Sequence, residues 1–314
     1  MRISVPREGI HAALWIPTDA RGRLMKRALA AHLNFLRARG VHGVLALGST
    51  GEFPRFSLEE RKGVLAAIAE MAPPLSVIAN VSDIRPQGAV ELGRYARKLG
   101  LPAVAIMPPS FFPMSQADIL EFFLRTAEAV KLPVFLYNFP ELTSNRINLE
   151  TIAAFADRAP MVGIKQSGGE FAYHEQLIRL GREKNFVVFS GADTRLPEVF
   201  GLGAAGCIGG LVNIVPELMV DIFNLCKGPN PGNPAEPARR MKEVGRVIDR
   251  LTFPLNVAAG LEARGFEPGA PKTVVSSESA RLYRGIVVAL RALFRAWNLP
   301  SASNTPRASA RHAA

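Results

Sequence analysis

One lysine lies at the end of an apolar segment, in the stretch MVGIKQSGGE at residues 161–170. A short apolar run followed by polar, Gly-rich sequence predicts a buried strand, and an ammonium group is costly to bury there. Desolvation lowers the pKa of an amine, and a neutral amine can attack a carbonyl carbon to form a Schiff base. Alternatively, Lys165 extends to the surface and pairs with a carboxylate. The stretch alone leaves both roles open.

A second candidate for chemistry is Tyr137, which ends the apolar segment PVFLYN. A phenol hydroxyl within hydrogen-bond distance of a substrate oxygen can carry a proton to or from that oxygen. A tyrosine in this position can equally be a core residue whose hydroxyl donates to a backbone carbonyl. Tyr137 is therefore a candidate proton relay if other reactive groups lie near it.

The stretch GSTGE, residues 48–52, combines two hydroxyl side chains with two glycines. Backbone N–H groups beside the hydroxyls of Ser49 and Thr50 form a site that suits a carboxylate. The glycines, among them Gly51, allow a ligand to approach the backbone closely. An ordinary turn between a strand and a helix has a similar composition, so this motif alone is not specific.

These candidates must be positioned by a chain that alternates short apolar runs with amphipathic segments. Eight runs predict strands, at residues 10–16, 41–48, 75–81, 102–108, 133–138, 161–167, 186–191 and 205–210. Helix starts are indicated where Ser57 and Ser115 are each followed three residues later by an acidic residue. The repeat of about thirty residues is the length of one βα unit. Eight units predict an α/β protein, a (β/α)8 TIM barrel, whose active site lies at the carboxyl ends of the strands.

The sequence after the eighth strand predicts helices and a tail. The helical segments cover about residues 215–227, 234–251 and 277–297. We therefore expect a barrel over residues 1–227, a C-terminal helical extension over 228–300 and a disordered tail over 301–314.

Composition and charge exclude several classes of function. The chain has 314 residues, 48% hydrophobic and 21% charged, as is typical of a soluble globular protein. The net charge is +11, but the basic residues are scattered and form no Lys/Arg run of the kind that marks a nucleic-acid site. No apolar stretch reaches the length of a membrane-spanning helix, about 18 residues. No nucleic-acid or membrane partner is therefore expected.

The cysteines, histidines and glycines also predict no bound cofactor. Cys207 and Cys226 lack CxxC spacing, and the five histidines form no metal-ligand motif. These features, with an N-terminus that lacks a signal-peptide pattern, predict a cytoplasmic protein with free thiols and no metal. The stretch GLGAAG, residues 201–206, matches a dinucleotide fingerprint but follows a helical segment instead of a strand. We interpret it as a helix end that turns into the eighth strand.

Taken together, the three motifs resemble those of the dihydrodipicolinate synthase/N-acetylneuraminate lyase family, the pyruvate-dependent class I aldolases. GSTGE is similar to the family's G-[ST]-T-G-E, YNFP to its Y-N-x-P, and GIKQSGG to its G-[IV]-K-x-[ST]-x-G. The resemblance extends over about residues 9–225, and more loosely to 297. It implies a (β/α)8 barrel that needs no metal or organic cofactor and that assembles as a homo-oligomer, a tetramer or a dimer.

The resemblance also implies roles for individual residues. Lys165 would form the Schiff base, Tyr137 would relay protons, and Thr50 would complete the catalytic group. Ser49 and Thr50 would hold the carboxylate of a 2-oxo acid. The other predicted substrate contacts are Gly51, Ser167, Gly191, Asp193 and Ile208.

Four positions depart from the family pattern and are predicted to set specificity. Leu142 stands where the synthases have an arginine for the second substrate's carboxylate, and Phe111 stands where they have a relay tyrosine. In the neuraminate lyases an acidic pair and a serine bind the sugar's hydroxyl tail. Here Asp193 is kept, Thr194 replaces its acidic neighbour and Gly210 replaces the serine. We therefore expect a shorter or more apolar substrate than sialic acid.

The sequence thus predicts a lyase that forms an imine between Lys165 and pyruvate or a pyruvate-derived 2-oxo (sugar) acid. Aldol cleavage, condensation and dehydration all fit this chemistry. The nearest alternative is a true 4-hydroxy-tetrahydrodipicolinate synthase of lysine biosynthesis, which Leu142 and Phe111 disfavour. An alternative of another class is a non-catalytic barrel that binds 2-oxo acids, which the presence of Lys165 and Tyr137 disfavours.

Overall fold

The structure is a computed structural model, and it describes residues 4–168 and 170–301. Eight parallel strands close into a barrel in chain order, with β1 paired to β8. The strands are β1 Gly9–Ala13, β2 Gly43–Ala46, β3 Ser76–Asn80, β4 Ala103–Ile106, β5 Val134–Asn138, β6 Met161–Gln166, β7 Val187–Ser190 and β8 Gly206–Gly209. Each overlaps a predicted strand, so the predicted barrel is confirmed.

Helices follow the strands and surround the barrel. Those up to the end of the last βα unit are α1 Lys26–Ala38, α2 Leu58–Met71, α3 Pro86–Lys98, α4 Gln116–Val130, α5 Pro140–Thr143, α6 Leu149–Arg158, α7 Phe171–Lys184, α8 Leu196–Leu202 and α9 Pro216–Lys227. The remaining helices are α10 Ala235–Ile248, α11 Leu255–Ala263 and α12 Ser277–Ala296. None of the helices in the described ranges is both long enough and apolar enough to cross a bilayer.

One helix after the eighth strand was not predicted from the sequence. The three segments expected after the eighth strand correspond to α9, α10 and α12, and α11 is additional. Nearly all of α11 is buried, so apolar residues surround its axis and no polar face alternates with them. A helix of this kind lacks the 3.6-residue pattern by which amphipathic helices are recognised.

Local helix signals in the sequence match the structure. Ser57 forms a reciprocal capping box with Glu60 at the start of α2, and the Ser115 side chain accepts from the Asp118 N–H at the start of α4. Helix α8 ends at Gly203, whose φ of 106° lies in the left-handed region that favours glycine. The GLGAAG stretch is therefore a helix end, as the sequence predicted.

The barrel interior is filled by side chains and is separate from the layer between strands and helices. Its buried residues are Ala13, Leu45, Ile78, Ala103, Ala105, Met107, Phe135, Tyr137, Phe189 and Ile208. Because this interior is packed, ligands have access only at the ends of the strands. Tyr137 belongs to the interior, so its hydroxyl is held by a rigid environment.

The segment after α11 is attached to the loops at the carboxyl ends of the first strands. The Trp15 indole N–H donates to the carbonyl of Pro268 at 2.8 Å, and the Ala270 N–H donates to the carbonyl of Thr18 at 2.7 Å. These bonds join positions more than 250 residues apart in the chain, since the first spans 253 residues. The C-terminal helices therefore reach the side of the barrel where the predicted catalytic residues lie.

Candidate active site

Lys165 and Tyr137 are direct neighbours on adjacent strands. The register of β5 and β6 places them opposite each other. The Lys165 ammonium donates to the Tyr137 hydroxyl at 3.0 Å and lies 4.3 Å from the centre of its ring. Lys165 is only 5% exposed, so the surface position considered as an alternative is not observed. A buried amine with a phenol beside it is an arrangement suited to imine chemistry.

Ser49 extends this contact to a third strand. Its hydroxyl lies 2.7 Å from the Tyr137 hydroxyl, just after β2. Ser49, Tyr137 and Lys165 therefore form a continuous hydrogen-bonded chain across the top of the barrel. Such a chain can move a proton between the lysine end and the GSTGE loop.

A hydrogen bond and close packing hold the GSTGE loop in place. Asn80 donates to the carbonyl of Leu47 at 2.7 Å, directly before the loop. Gly51 lies against the first strand's loop, since a Cβ at this position would be 2.9 Å from the Leu14 carbonyl oxygen. The predicted substrate contact Gly51 therefore packs on protein behind the cavity, while Thr50 lines the cavity itself.

A buried ion pair fixes the end of the same loop. Glu52 has left-handed backbone angles, with φ 57°, and its carboxylate lies 2.9 Å from the Lys272 ammonium. Both side chains are 6% exposed, and the Lys272 ammonium also lies 4.3 Å from the centre of the Trp15 ring. Burial lowers the pKa of Lys272, and the neighbouring Glu52 opposes this shift. The pair connects the GSTGE loop to the segment after α11.

A cavity of about 300 Å³ brings most of the predicted residues together. The predicted residues that line it are Ser49, Thr50, Tyr137, Lys165, Ser167, Gly191, Asp193, Thr194, Ile208 and Gly210. They come from the ends of β2, β5, β6, β7 and β8, which is where a (β/α)8 barrel carries its active site.

Asp193 forms a polar corner of this cavity. Its carboxylate accepts from the Leu211 N–H at 2.8 Å and from the Cys207 thiol at 3.4 Å. Burial raises the pKa of Asp193, and the Leu211 N–H opposes this shift. Gly210 leaves space beside it, because a Cβ there would lie 3.6 Å from the Thr50 hydroxyl and 3.7 Å from the Asp193 carboxylate.

Thr194 faces the C-terminal helices. A Cβ added to Gly245 of α10 would lie 2.7 Å from the methyl group of Thr194. The methyl of Thr194 therefore packs closely on α10, and this part of the cavity wall is formed by two distant segments of the chain.

Phe111 and Leu142 lie in a different place from the other predicted residues. They line a neighbouring cavity of about 700 Å³, which also includes Ser49 and Phe253. Phe111 is 76% exposed with φ 84°, and Leu142 is 48% exposed. Within the described chain, neither side chain lines the cavity that contains Lys165.

The cavity also includes residues that the sequence analysis did not identify. From the C-terminal helices these are Gly245, Ile248, Asp249, Phe253, Asn256 and Val257. Only the packing of these helices on the barrel brings the residues to the site. Asn256 was the one detectable signal, since it is a polar residue within the apolar segment LNVAAG.

No group of three or more His, Cys, Asp or Glu side chains in the described residues could hold a metal ion. The polar groups of the cavity are instead an ammonium, hydroxyls, carboxylates and a carboxamide. These groups suit an organic acid with hydrogen-bonding substituents.

Comparison with known proteins agrees with this geometry. The sequence model of the dihydrodipicolinate synthetase family matches residues 6–286. An uncharacterised DapA-like lyase of Halobacterium salinarum is 30% identical over 252 residues, which cover 80% of this chain and 82% of that protein. A 4-hydroxy-tetrahydrodipicolinate synthase of Pseudomonas putida is 33% identical over 236 residues, which cover 75% and 79%.

Solved structures show the same fold. YagE, a prophage protein of E. coli K12 crystallised in complex with pyruvate, superposes with a TM-score of 0.84 at 24% identity. The match covers 93% of this chain and 99% of YagE. With the family match over nearly the whole described chain, the chain belongs to the dihydrodipicolinate synthetase family and is a lyase of the class I aldolase type.

Proposed function

We propose that this enzyme forms a Schiff base between Lys165 and the C2 carbonyl of pyruvate or of a pyruvate-derived 2-oxo acid. The observation that carries the proposal is the buried contact of 3.0 Å between the Lys165 ammonium and the Tyr137 hydroxyl inside a cavity. An amine at this position needs a neighbouring group that can exchange protons with the adduct, and Tyr137 is that group.

In the cleavage direction, the Lys165 amine attacks C2, and the resulting carbinolamine hydroxyl takes the Tyr137 proton and leaves as water, which gives an iminium. The C3–C4 bond then breaks as the C4 hydroxyl gives its proton to Tyr137, and the bonding electrons pass into the iminium. The products are an enamine and an aldehyde, and protonation of C3 followed by hydrolysis releases pyruvate. Tyr137 can accept this proton because it gave its own to the departing water, and the Ser49 hydroxyl, 2.7 Å away, donates a hydrogen bond to its oxygen.

The same intermediates serve condensation and dehydration. In condensation the enamine attacks an aldehyde, which reverses the cleavage. In dehydration the C3 proton is lost and the C4 hydroxyl leaves as water after protonation. The contacts of Tyr137 support all of these reactions equally.

The carboxylate of the 2-oxo acid would bind at Ser49, Thr50 and the backbone of the GSTGE loop. Thr50 is 3% exposed and lines the cavity together with Lys165. The structure of YagE contains pyruvate, which supports a 2-oxo acid as the ligand of this fold. We propose that Ser167, Gly191, Asp193 and Ile208 complete the site.

A second candidate is 4-hydroxy-tetrahydrodipicolinate synthase, which is the activity named for relatives such as the P. putida protein. The positions Phe111 and Leu142 argue against it, as they did in the sequence. Both reactions begin with the same pyruvate imine, so they differ in the second substrate.

The proposal is tested by borohydride reduction in the presence of pyruvate, followed by peptide mass spectrometry. We expect a reduced pyruvate adduct on Lys165 and none on the surface residue Lys184, which is ion-paired with Asp157. Lys165→Ala should lose the adduct and all turnover while it keeps the thermal transition of the parent. No adduct with pyruvate or a panel of 2-oxo acids, or turnover by Lys165→Ala, would overturn the proposal.

We also propose that the enzyme is cytoplasmic and homo-oligomeric. Both cysteines are free thiols, as expected in a reducing compartment. Exposed apolar side chains that include Ile84, Phe111, Phe112 and Leu142 support an interface between copies. Sedimentation velocity of the purified protein measures the assembly state.

A further inference from the structure

The charges in the cavity are distributed unevenly. Among the described residues that line it, Lys165 is the one cation, and Asp193 and Asp249 are carboxylates. In the proposed function the carboxylate and carbonyl of the substrate lie at the GSTGE loop and Lys165. The rest of the substrate, called here the tail, therefore faces two carboxylates and no further cation.

Asn256 contributes an unusual polar group to the same part of the cavity. It lines the cavity from the first turn of α11 and is 6% exposed. Its side-chain carbonyl oxygen is buried, and no donor from the described residues lies within hydrogen-bond distance. A buried carbonyl without a donor costs about 1–3 kcal/mol, so such groups are rare unless a ligand or water completes them.

The protein residues beside Asn256 cannot supply that donor. The neighbouring lining residues on α10, on α11 and between them are Ile248, Phe253 and Val257, all apolar. Asp249 lies in the same region, and its carboxylate accepts hydrogen bonds; burial raises its pKa. This wall therefore presents acceptors in an apolar setting, and a ligand that binds there must bring donors.

We propose that Asn256 and Asp249 bind an uncharged, hydroxylated tail of the substrate. This inference rests on the proposed function, because imine formation at Lys165 fixes which end of the acid reaches Asn256. One hydroxyl of the tail donates to the Asn256 carbonyl, and another donates to the Asp249 carboxylate. An alkyl tail leaves the carbonyl unpaired, and a phosphate or second carboxylate is repelled by Asp193 and Asp249.

The size of the cavity suits a short tail. Its volume of about 300 Å³ is at the lower end for ligand sites, which hold ~300–1,000 Å³. A 2-oxo acid with a few hydroxylated carbons beyond C4 fits this space better than a longer sugar acid. Thr194 and Gly210 predicted a shorter or more apolar substrate than sialic acid. Asn256, which lines the same cavity from α11, adds polar recognition for a short tail.

The test measures imine trapping at Lys165 as a function of ligand concentration. Three 2-oxo acids of equal carbon number are compared with pyruvate: 2-oxohexanoate, a 3-deoxy-2-oxohexonic acid and its 6-phosphate. Adducts of the intact acid and of pyruvate released from it are counted together, so the readout does not depend on which reaction follows. We expect the hydroxylated acid to half-saturate at a concentration about tenfold lower than the alkyl acid or the phosphate.

The variant Asn256→Leu keeps the approximate size of the side chain and removes its polar atoms. We expect it to raise the half-saturating concentration of the hydroxylated acid about tenfold and to leave that of pyruvate unchanged. Asp249→Asn should weaken the discrimination against the phosphate. Val257→Ala is a matched control on the same wall, and it should affect the alkyl and hydroxylated acids alike.

The outcomes separate this inference from the proposed function. If pyruvate gives no adduct with the parent enzyme, the proposed function fails. If pyruvate is trapped but the three tails bind equally, or the phosphate binds best, only the tail inference fails. It also fails if Asn256→Leu weakens pyruvate as much as the hydroxylated acid.

Discussion

The cavity has two walls that differ in how their polar groups are paired. On the strand wall, Ser49, Tyr137 and Lys165 bond to one another at 2.7 and 3.0 Å. On the extension wall, formed by residues 245–257, Asn256 carries a carbonyl without a donor in the described chain. The strand wall is complete without a ligand and is held by the packed barrel, which suits groups that must keep their geometry during bond breaking. The extension wall lacks a hydrogen-bond donor to Asn256 until a ligand supplies one, which suits substrate recognition.

The largest effect is expected from the strand wall, where Tyr137→Phe removes the central hydroxyl. Turnover of a 4-hydroxy-2-oxo acid should fall by about 10²–10⁴-fold, because general acid–base catalysis contributes that much. Trapping of pyruvate on Lys165 should persist. The measurement is kcat beside the trapped fraction.

Tyr173→Phe is a matched control, since Tyr173 is also buried and its hydroxyl donates to the Ile147 carbonyl outside the cavity. Near-parental turnover of Tyr137→Phe would mean that the strand wall does not carry the proton transfer.

The second prediction concerns the link between the walls, the Glu52–Lys272 pair. Glu52→Gln should lower the free energy of unfolding by about 3–5 kcal/mol, because it leaves the buried Lys272 ammonium uncompensated. Lys272→Met should lower it by less, because Arg55 still lies 3.0 Å from the Glu52 carboxylate. The double variant should lose less than the sum of the two. Urea unfolding measures these changes.

The same variants test the position of the GSTGE loop. The half-saturating concentration of pyruvate should rise in each single variant, since the loop that seats the carboxylate is released from the C-terminal segment. Arg55, which lies 3.0 Å from Glu52 but is 43% exposed, provides the control. Arg55→Gln should change stability by about 0–1 kcal/mol.

A third prediction concerns the effect of acid on stability, which should act through buried histidines that lie in neither wall. Burial lowers the pKa of His11 to about 3 and that of His32 to about 4, from 6.5. Below pH 6.5 these histidines are protonated in the unfolded chain. In the folded chain they stay neutral until the pH approaches 4 for His32 and 3 for His11. The free energy of unfolding therefore decreases as the pH is lowered from 6.5 towards these values. His11 and His32 should each lower the free energy of unfolding by about 2 kcal/mol between pH 7 and pH 5.

Urea unfolding at several pH values measures this slope. His11→Met removes one titrating group and fills a similar volume beside Phe189, so it should make the slope less steep. An unchanged slope would show that other groups cause the acid sensitivity.

The smallest effect is expected for Gly210→Ser, which adds a hydroxyl to the strand wall near Thr50 and Asp193. A Cβ fits here without a close contact, its nearest neighbour being 3.6 Å away. We expect the half-saturating concentration of a hydroxylated acid to change by a few-fold, as for one neutral hydrogen bond, and that of pyruvate to stay constant. Loss of pyruvate trapping would show that Gly210 has a structural role instead.

The residues of the strand wall could be predicted from the sequence because the local sequence around each of them marks its position. Each of Ser49, Tyr137 and Lys165 ends an apolar strand, and the closure of eight parallel strands brings such ends together. The extension wall could not be predicted in this way. Helix α11 has no polar face to reveal it. Asn256 reaches the cavity that Ser49 and Thr50 line only because the C-terminal helices pack on the barrel. Phe111 and Leu142, which the sequence predicted to set specificity, line the neighbouring cavity, which shares Ser49 and Phe253 with the cavity of Lys165.

The Glu52–Lys272 pair has a consequence for how the enzyme matures during synthesis. The two residues are separated by 220 positions, so a ribosome working at ~5–20 residues per second makes the loop tens of seconds before its partner. Until then the Glu52 carboxylate has no ammonium to pair with. For most of this time the extension wall has not been synthesised either. A nascent or truncated chain that has already closed its barrel therefore cannot form the finished cavity. The substrate cavity is in this way finished only after the C-terminal segment has been made.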